Sequence, residues 1–336
     1  MRRERILLAH GGGGSLTREL IEELFLAKFE NALLKPLDDS AVLVMGGKGY
    51  AFTTDSYVVN PYVFPGGDIG ILAVCGTAND LAVMGAQPLW LSLSFILEEG
   101  LLLAELQDIV ESIRVAAAAV GVQIVTGDTK VVERGKCDGL FINTAGVGHV
   151  LTSNRLGAAN VKPGDAVILS GSIGEHGVAV LSRRQGIAFE TNVVSDCAAL
   201  WPMVKTILDT DVAIHAMRDP TRGGLAAAVC DIARASGIGI RLNESAIAIT
   251  REVRGACDLL GIDPLTMASE GKLILFCRAV DADRVIEVMK RHPLGKNACI
   301  IGEVTDKPKG MALLRTVIGG ERIIDMPTGE DLPRIC

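Results

Sequence analysis

The chain has 336 residues, 49% of them hydrophobic but only 4% aromatic, with a formal net charge of −7 and a pI near 5.4. That length points to two domains with a core of Ala, Val, Ile and Leu, and an acidic balance without a basic run argues against a nucleic-acid or membrane-surface partner. No stretch of 18 uncharged apolar residues occurs, so no spanning helix is expected. The opening apolar stretch, Ile6 to Ala9, is too short for a signal peptide. The eight cysteines are scattered without a CxxC or zinc spacing. All but the last, Cys336, read as small buried hydrophobes in a reduced, cytoplasmic chain.

In chain order, Arg5–Ala9 reads as a strand, followed by His10 and the run Gly11, Gly12, Gly13 and Gly14. Ser15 then opens a helix whose Leu16, Leu20, Ile21, Leu24, Phe25 and Phe29 recur at helical spacing. Ala41–Met45 and Tyr50–Thr54 read as strands across a glycine turn. Pro65-Gly66-Gly67 precedes a near-continuous apolar helix from about Asp68 to Met84. Leu89–Leu97 alternates as a strand, Leu102–Val120 is an Ala-rich helix, and Val122–Thr126 and Gly139–Gly148 are strands. The rhythm restarts at Ala166–Ser170. Helices follow near Gly177–Arg184, Leu225–Ala235 and Asp281–Arg291, with strands at Ile238–Leu242, Lys272–Cys277, Ile300–Val304 and Ala312–Val317. The expected class is α+β with two domains. Residues 1–155 form a mixed sheet with helices on one face, residues 156–325 an α/β sandwich, and residues 326–336 an irregular, mobile tail with two prolines.

Acids interrupt this apolar framework. Asn79 and Asp80 lie in the apolar helix, where a charge is costly unless paired or bound to a cation. Asp39 precedes a strand, Asp55 follows one, and Asp128 lies in VTGDTKV, read as the place where a buried strand stops at a glycine. Singly, each suits a turn or a cap. Together, four acids at element ends without a matching basic cluster suggest a magnesium site, since Mg²⁺ takes hard oxygen ligands completed by phosphates. The HGGGGS and DPTRGGL loops each open a helix, where backbone N–H groups can meet phosphate, and each is equally a flexible turn. Neither is a Walker motif or a dinucleotide fingerprint.

HGGGGS, TTDSYVVNPYVFPGGDIG, GTANDLAVMGAQP, TGDTKVV, DPTRGG, ASEGKL and the terminal PRIC follow one another from the first predicted strand to the last residue. This series closely resembles the HypE family of hydrogenase maturation proteins, within the ATP-binding superfamily of aminoimidazole ribonucleotide synthetase and selenophosphate synthetase. The TDS, NDLA and GDTK blocks are shared loosely with the superfamily; PRIC is the discriminating piece. The resemblance implies a homodimer formed through the N-terminal sheet, with ATP and Mg²⁺ in a cleft near its interface. It implies that a carbamoyltransferase, HypF, loads a carboxamide on the terminal cysteine. ATP-dependent dehydration then gives a thiocyanate, and cyanide passes to iron on a HypC–HypD scaffold for [NiFe] hydrogenase.

On that reading Asp39, Asp55, Asp80 and Asp128 hold Mg²⁺ and the triphosphate, with Asn79 beside them, and Gly11–Gly14 cover the phosphates. Glu270 takes a proton from the carboxamide nitrogen, Lys130 neutralises charge on the oxygen or γ-phosphate, and Cys336 carries the substrate. Without the resemblance, Glu270 suits a solvated loop acid and Lys130 a surface charge. A tail from Met326 can reach ~35 Å at about 3.3 Å per residue, which lets one thiol visit donor, pocket and scaffold. The rival readings are a related ATP-dependent synthetase or kinase, for which PRIC has no role, and a non-catalytic thiol carrier.

Overall fold

A helix that is apolar all round must be covered on every side, and α3 (Ile69–Val83) is the pivot of the architecture for that reason. In the computed structural model of the protein, residues 5–152, 155–184, 191–328 and 334–336 are described. The N-terminal part starts with α1 (Ser15–Leu20), which runs through a π-helical stretch, Ile21–Leu26, into α2 (Ala27–Phe29). The hairpin β1 (Ala41–Met45) and β2 (Lys48–Tyr57) and the short ribbon β3 (Val63–Phe64) and β4 (Gly67–Asp68) lead to α3. Asp68 caps that helix, its carboxylate accepting the N–H groups of Gly70 and Ile71. Then follow β5 (Ala86–Glu98), α4 (Leu103–Val120), β6 (Gln123–Val132) and β7 (Leu140–Val150). The sheet order is β1-β2-β7-β5-β6, parallel only between β5 and β6. Leu72 and Ala73 of α3 and Ile109 and Ile113 of α4 share one core with Tyr57, Leu91 and Ile142 of the sheet.

The C-terminal part contains β8 (Asp165–Leu169), α5 (Glu175–Leu181), α6 (Trp201–Leu208), β9 (Ile214–Arg218), α7 (Gly224–Ser236) and β10 (Gly239–Asn243). It continues with α8 (Arg251–Leu260), β11 (Ile274–Arg278), α9 (Ala282–Lys290), β12 (Cys299–Thr305), β13 (Ala312–Arg315) and β14 (Glu321–Ile324). Its mixed sheet runs β14-β13-β10-β12-β8-β11-β9. Side chains alternate across a strand, so both faces of the central strands are covered. Val167, Leu169, Ile274 and Phe276 pack with α7, whereas Ala166, Ile168, Leu275 and Cys277 pack with α6 and α9. No described helix is long and apolar enough to cross a membrane.

Three local expectations change. Arg5–Ala9 is not a strand: Leu8–Gly11 is a 3₁₀ turn, closed where His10 Nδ1 accepts the Leu7 N–H at 3.0 Å. The strand holding Asp128 does not stop at Gly127 but runs to Val132, and it is exposed rather than buried. Gly127 faces Leu93 of β5, and a Cβ there would collide with the Leu93 carbonyl, so this glycine permits close pairing instead of ending it. Finally, the tail is expected to be mobile, yet residues 334–336 are docked, with Ile335 only 2% exposed; residues 329–333 of that tail lie outside the described residues.

Candidate active site

Alternation along β2 turns Thr53, Asp55 and Tyr57 to the same face, towards α3. There Thr53 donates to Asp80 at 2.8 Å, and the Tyr57 hydroxyl lies 3.2 Å from both Asp55 and Thr77. The loop before β1 adds Asp39, whose carboxylate is 3.3 Å from Arg218 at the end of β9. Asp219 follows directly. Carboxylate oxygens of Asp39, Asp80 and Asp219 lie within 4.8 Å of one another. Three acids from three separate elements thus converge where α3 meets the end of β9.

Their electrostatics are those of a site awaiting positive charge. Burial, together with the neighbouring acids Asp55 and Asp219, pushes Asp80 well above the usual carboxylate range. Asp219, 5% exposed, is pushed up to about 8 by burial and then by Asp39, against the pull of Arg218. Its Oδ2 has no protein partner. Burial alone would lower Arg218, but Asp39 and Asp231 outweigh it and hold the guanidinium charged. Hard oxygen donors, mutual repulsion and an orphaned carboxylate oxygen together fit a divalent cation of the Mg²⁺ type.

Beyond these acids is a small chamber lined by Asp55, Tyr57, Asp219, Arg222, Glu270 and Cys336. Glu270 is 2% exposed, its Oε1 has no protein partner, and burial followed by Asp219 pushes its carboxyl well above normal. The loop carrying it is pinned from several sides. Asp196 accepts the Glu270 N–H at 3.1 Å and Lys272 at 2.8 Å, and Ser269 accepts the Gly174 N–H at 2.9 Å. Burial raises the Cys336 thiol well above its ordinary value, with Arg222 opposing.

Asp55, Asp80, Thr221 and Arg222 also line a cleft of about 900 Å³, which lies against Gly13, Gly14 and the apolar side of α1 and α2. Gly13 is left-handed at φ +75°, and a Cβ there would strike the Arg222 side chain, so the glycine turn can lie directly on Arg222. Arg222 donates to the Gly11 carbonyl at 3.3 Å, and Gly12 is part of the same turn.

Of the residues singled out in the sequence, Asp39, Asp55, Asp80, Glu270, Cys336, Gly13 and Gly14 meet at the cleft and chamber. Asn79 does not face them. It is buried with Nδ2 donating to the carbonyls of Ala198 and Glu270 and Oδ1 accepting from Leu200, so it braces the Glu270 loop. Asp128 and Lys130 are exposed on the edge strand β6 and pair with each other at 2.6 Å. Asp55 is level with Thr144, Leu93 and Gly127 across the sheet, which puts this edge three strands away, ~14 Å at about 4.8 Å per strand. Asp219 and Arg222 escaped sequence reasoning, although Asp219 directly follows the stretch AIHAMR and so is, like the other acids, at the end of an element.

Two family models match: AIR synthase related protein, N-terminal domain, over residues 37–150, and its C-terminal domain over residues 162–314. The chain is 50% identical to carbamoyl dehydratase HypE of Cupriavidus necator over 99% of this chain and 95% of that one. It is 47% identical to its namesake from Escherichia coli over 98% and 99% respectively. Among solved structures, a HypE–HypF complex superposes with a TM-score of 0.87 at 44% identity, covering 92% of this chain and 99% of that one. HypE in complex with ATP gives 0.83 at 44% identity, covering 99% and 100%. A thiamine monophosphate kinase from Aquifex aeolicus, 18% identical over 91% of this chain and 99% of that one, gives 0.65 and shares the fold. The chain therefore belongs to the HypE family of hydrogenase maturation proteins, built from the two AIR synthase related domains.

Proposed function

We propose that the chain is an ATP-dependent carbamoyl dehydratase that converts a carboxamide on Cys336 to a thiocyanate. The observation that carries this reading is the placement of Cys336. Its thiol lines a chamber with an unpartnered buried carboxylate, Glu270, and that chamber opens through Asp55, Asp80 and Arg222 into the cleft. A related synthetase or kinase would give this thiol no task.

The carboxamide oxygen becomes a leaving group by taking the γ-phosphoryl group of ATP, releasing ADP. Glu270 accepts a proton from the nitrogen, the second N–H proton is also lost, the carbon–oxygen bond breaks, and a carbon–nitrogen triple bond forms. The oxygen of the formal water departs within inorganic phosphate. Glu270 suits the base role because it is buried, unpartnered and held at its backbone. Its raised proton affinity makes it, once its own proton is lost, a stronger base than an ordinary carboxylate. Arg222 neutralises charge between cleft and chamber, and the Gly11–Gly14 turn supplies N–H groups to the phosphates. Asp39, Asp80 and Asp219, with Asp55 beside them, would hold Mg²⁺, which when bound neutralises the triphosphate.

Asp128 and Lys130 enter this scheme only from a second copy. The β6 edge is unpaired among the described residues and exposes Val125 and Val131, as suits a homodimer formed through this sheet. HypF as carbamoyl donor accords with the HypE–HypF complex, and the HypC–HypD scaffold as cyanide acceptor completes the sequence. Eight unpaired thiols suit a cytoplasmic site of action.

The test is mass spectrometry of the C-terminal peptide after mixing the chain with ATP and a HypF carbamoyl-donor system. The expected result is gain of a carbamoyl group, then loss of one water only with hydrolysable ATP. A carbamoyl mark that never dehydrates would replace the enzyme reading with that of a carrier.

A further inference from the structure

The last three residues lie in a groove that engages a main-chain oxygen of each. The Arg334 carbonyl accepts from Asn60 N–H at 3.3 Å and from Arg184 Nη2 at 3.0 Å. The Ile335 carbonyl lies 2.8 Å from His176 Nε2, and the Cys336 main-chain oxygen accepts from Val58 N–H at 3.3 Å. A carbonyl can only accept, so His176 carries its proton on Nε2. Nδ1 must then accept from the Ser195 hydroxyl, 2.8 Å away, while Ser195 Oγ accepts the Cys197 N–H at 3.1 Å. Burial lowers the proton affinity of His176, which keeps this neutral tautomer. Phe64 packs edge-on against its ring at 5.2 Å.

The side chains are held as well. Ile335 fills the main core. Arg334 pairs with Asp138, donates to the Val58 carbonyl at 3.0 Å and lies 5.5 Å over the Phe141 ring. Its backbone is left-handed at φ +56°, a conformation an arginine keeps only where its surroundings impose it.

We propose that His176 and Arg334 are positioning residues that form a latch, fixing the register of the tail so that the Cys336 sulfur faces Glu270 and Arg222. The latch recognises main-chain oxygens at three positions and side chains at two. It therefore ignores what the sulfur carries, and a loaded and an unloaded tail dock alike. The inference rests on the proposed function for its purpose, but not for its test.

The full-length chain, without ATP or carbamoyl donor, is treated with iodoacetamide, and Cys336 alkylation is followed on the C-terminal peptide. Losing a buried hydrogen bond or ion pair shifts a docking equilibrium on the order of tenfold or more. Arg334→Ala and His176→Phe should therefore speed Cys336 alkylation by about that factor, while Arg334→Lys and His176→Gln, which keep a donor, restore most of the protection. With carbamoylated protein, Arg334→Ala should slow single-turnover dehydration by the same factor and leave half-saturation by ATP unchanged. Arg334 is on the tail, so its variant tests the latch even where His176→Phe fails to fold. Unchanged alkylation in Arg334→Ala overturns the latch. Protection that disappears in the variants of a chain whose carbamoyl mark never dehydrates overturns the chemistry and leaves the latch standing.

Discussion

Asn79 and Glu270 are joined side chain to main chain, the Asn79 amide donating to the Glu270 carbonyl at 3.3 Å across the boundary between α3 and the loop before β11. A second donor bond to Ala198 and an acceptor bond from Leu200 use the rest of the amide. Asn79→Ala leaves those buried groups unpaired and should destabilise the chain by about 2–4 kcal/mol. Thermal denaturation without nucleotide checks this. The variant should also slow dehydration by releasing Glu270. A normal melting temperature with weakened ATP binding would return Asn79 to the nucleotide site.

Glu270→Gln should leave carbamoylation of Cys336 intact and reduce dehydration by roughly 10²–10⁴-fold, the usual value of a positioned base. Its effect on stability has a sign fixed by burial. The folded protein holds the Glu270 proton well above the normal carboxylate range. That contribution to stability is complete below the unfolded pKa and is lost as pH rises towards the folded value. Glutamine does not titrate, so the variant should gain in melting temperature over the parent as pH rises. A constant difference across pH would contradict the buried, unpartnered carboxyl.

Asp219 gives the metal site its own pH signature. With a folded value pushed up to about 8 and an unfolded value near 3.8, the metal-free chain should lose stability progressively between those limits. A cation competes with that proton, so Mg²⁺ should raise the melting temperature more at pH 8 than at pH 6. Asp219→Asn should abolish most of the Mg²⁺ response. A response that weakens as pH rises would place the cation elsewhere.

How legible these features were depends on whether a signal was local. The start of α3 near Asp68 and the hairpin of β1 and β2 follow from neighbouring residues, and both are found where the sequence places them. Likewise Asp80 stands out because it interrupts an apolar helix, and Asp39 and Asp55 because they border strands. Asp219 borders a strand too, but the glycines after it point towards a phosphate loop. Arg5–Ala9 has a strand composition, yet among the described residues no strand pairs with it, and a turn closed by His10 forms instead. Helix α6 begins Trp201-Pro202, where proline suits a first turn but reads as a breaker. The docking of residues 334–336 depends on Val58, Asn60 and His176, far off in sequence, and no local pattern could announce it.

Asp128 and Lys130 lead to the sharpest test of the whole assembly. Within one chain they are on the outer edge of the sheet, three strands from Asp55. If a second copy supplies Lys130 while the first supplies Glu270, each active site is composite. Lys130→Ala and Glu270→Gln homodimers should then both be inactive. Mixed under subunit exchange, half of the dimers become heterodimers. In each, the Lys130→Ala chain contributes an intact Glu270 and receives an intact Lys130, while the other site carries both defects. One good site in half of the dimers restores about a quarter of the parental dehydration rate. Separate sites within each chain would leave the mixture as inactive as its parts, and the measurement needs only the two purified variants, ATP and a carbamoyl donor.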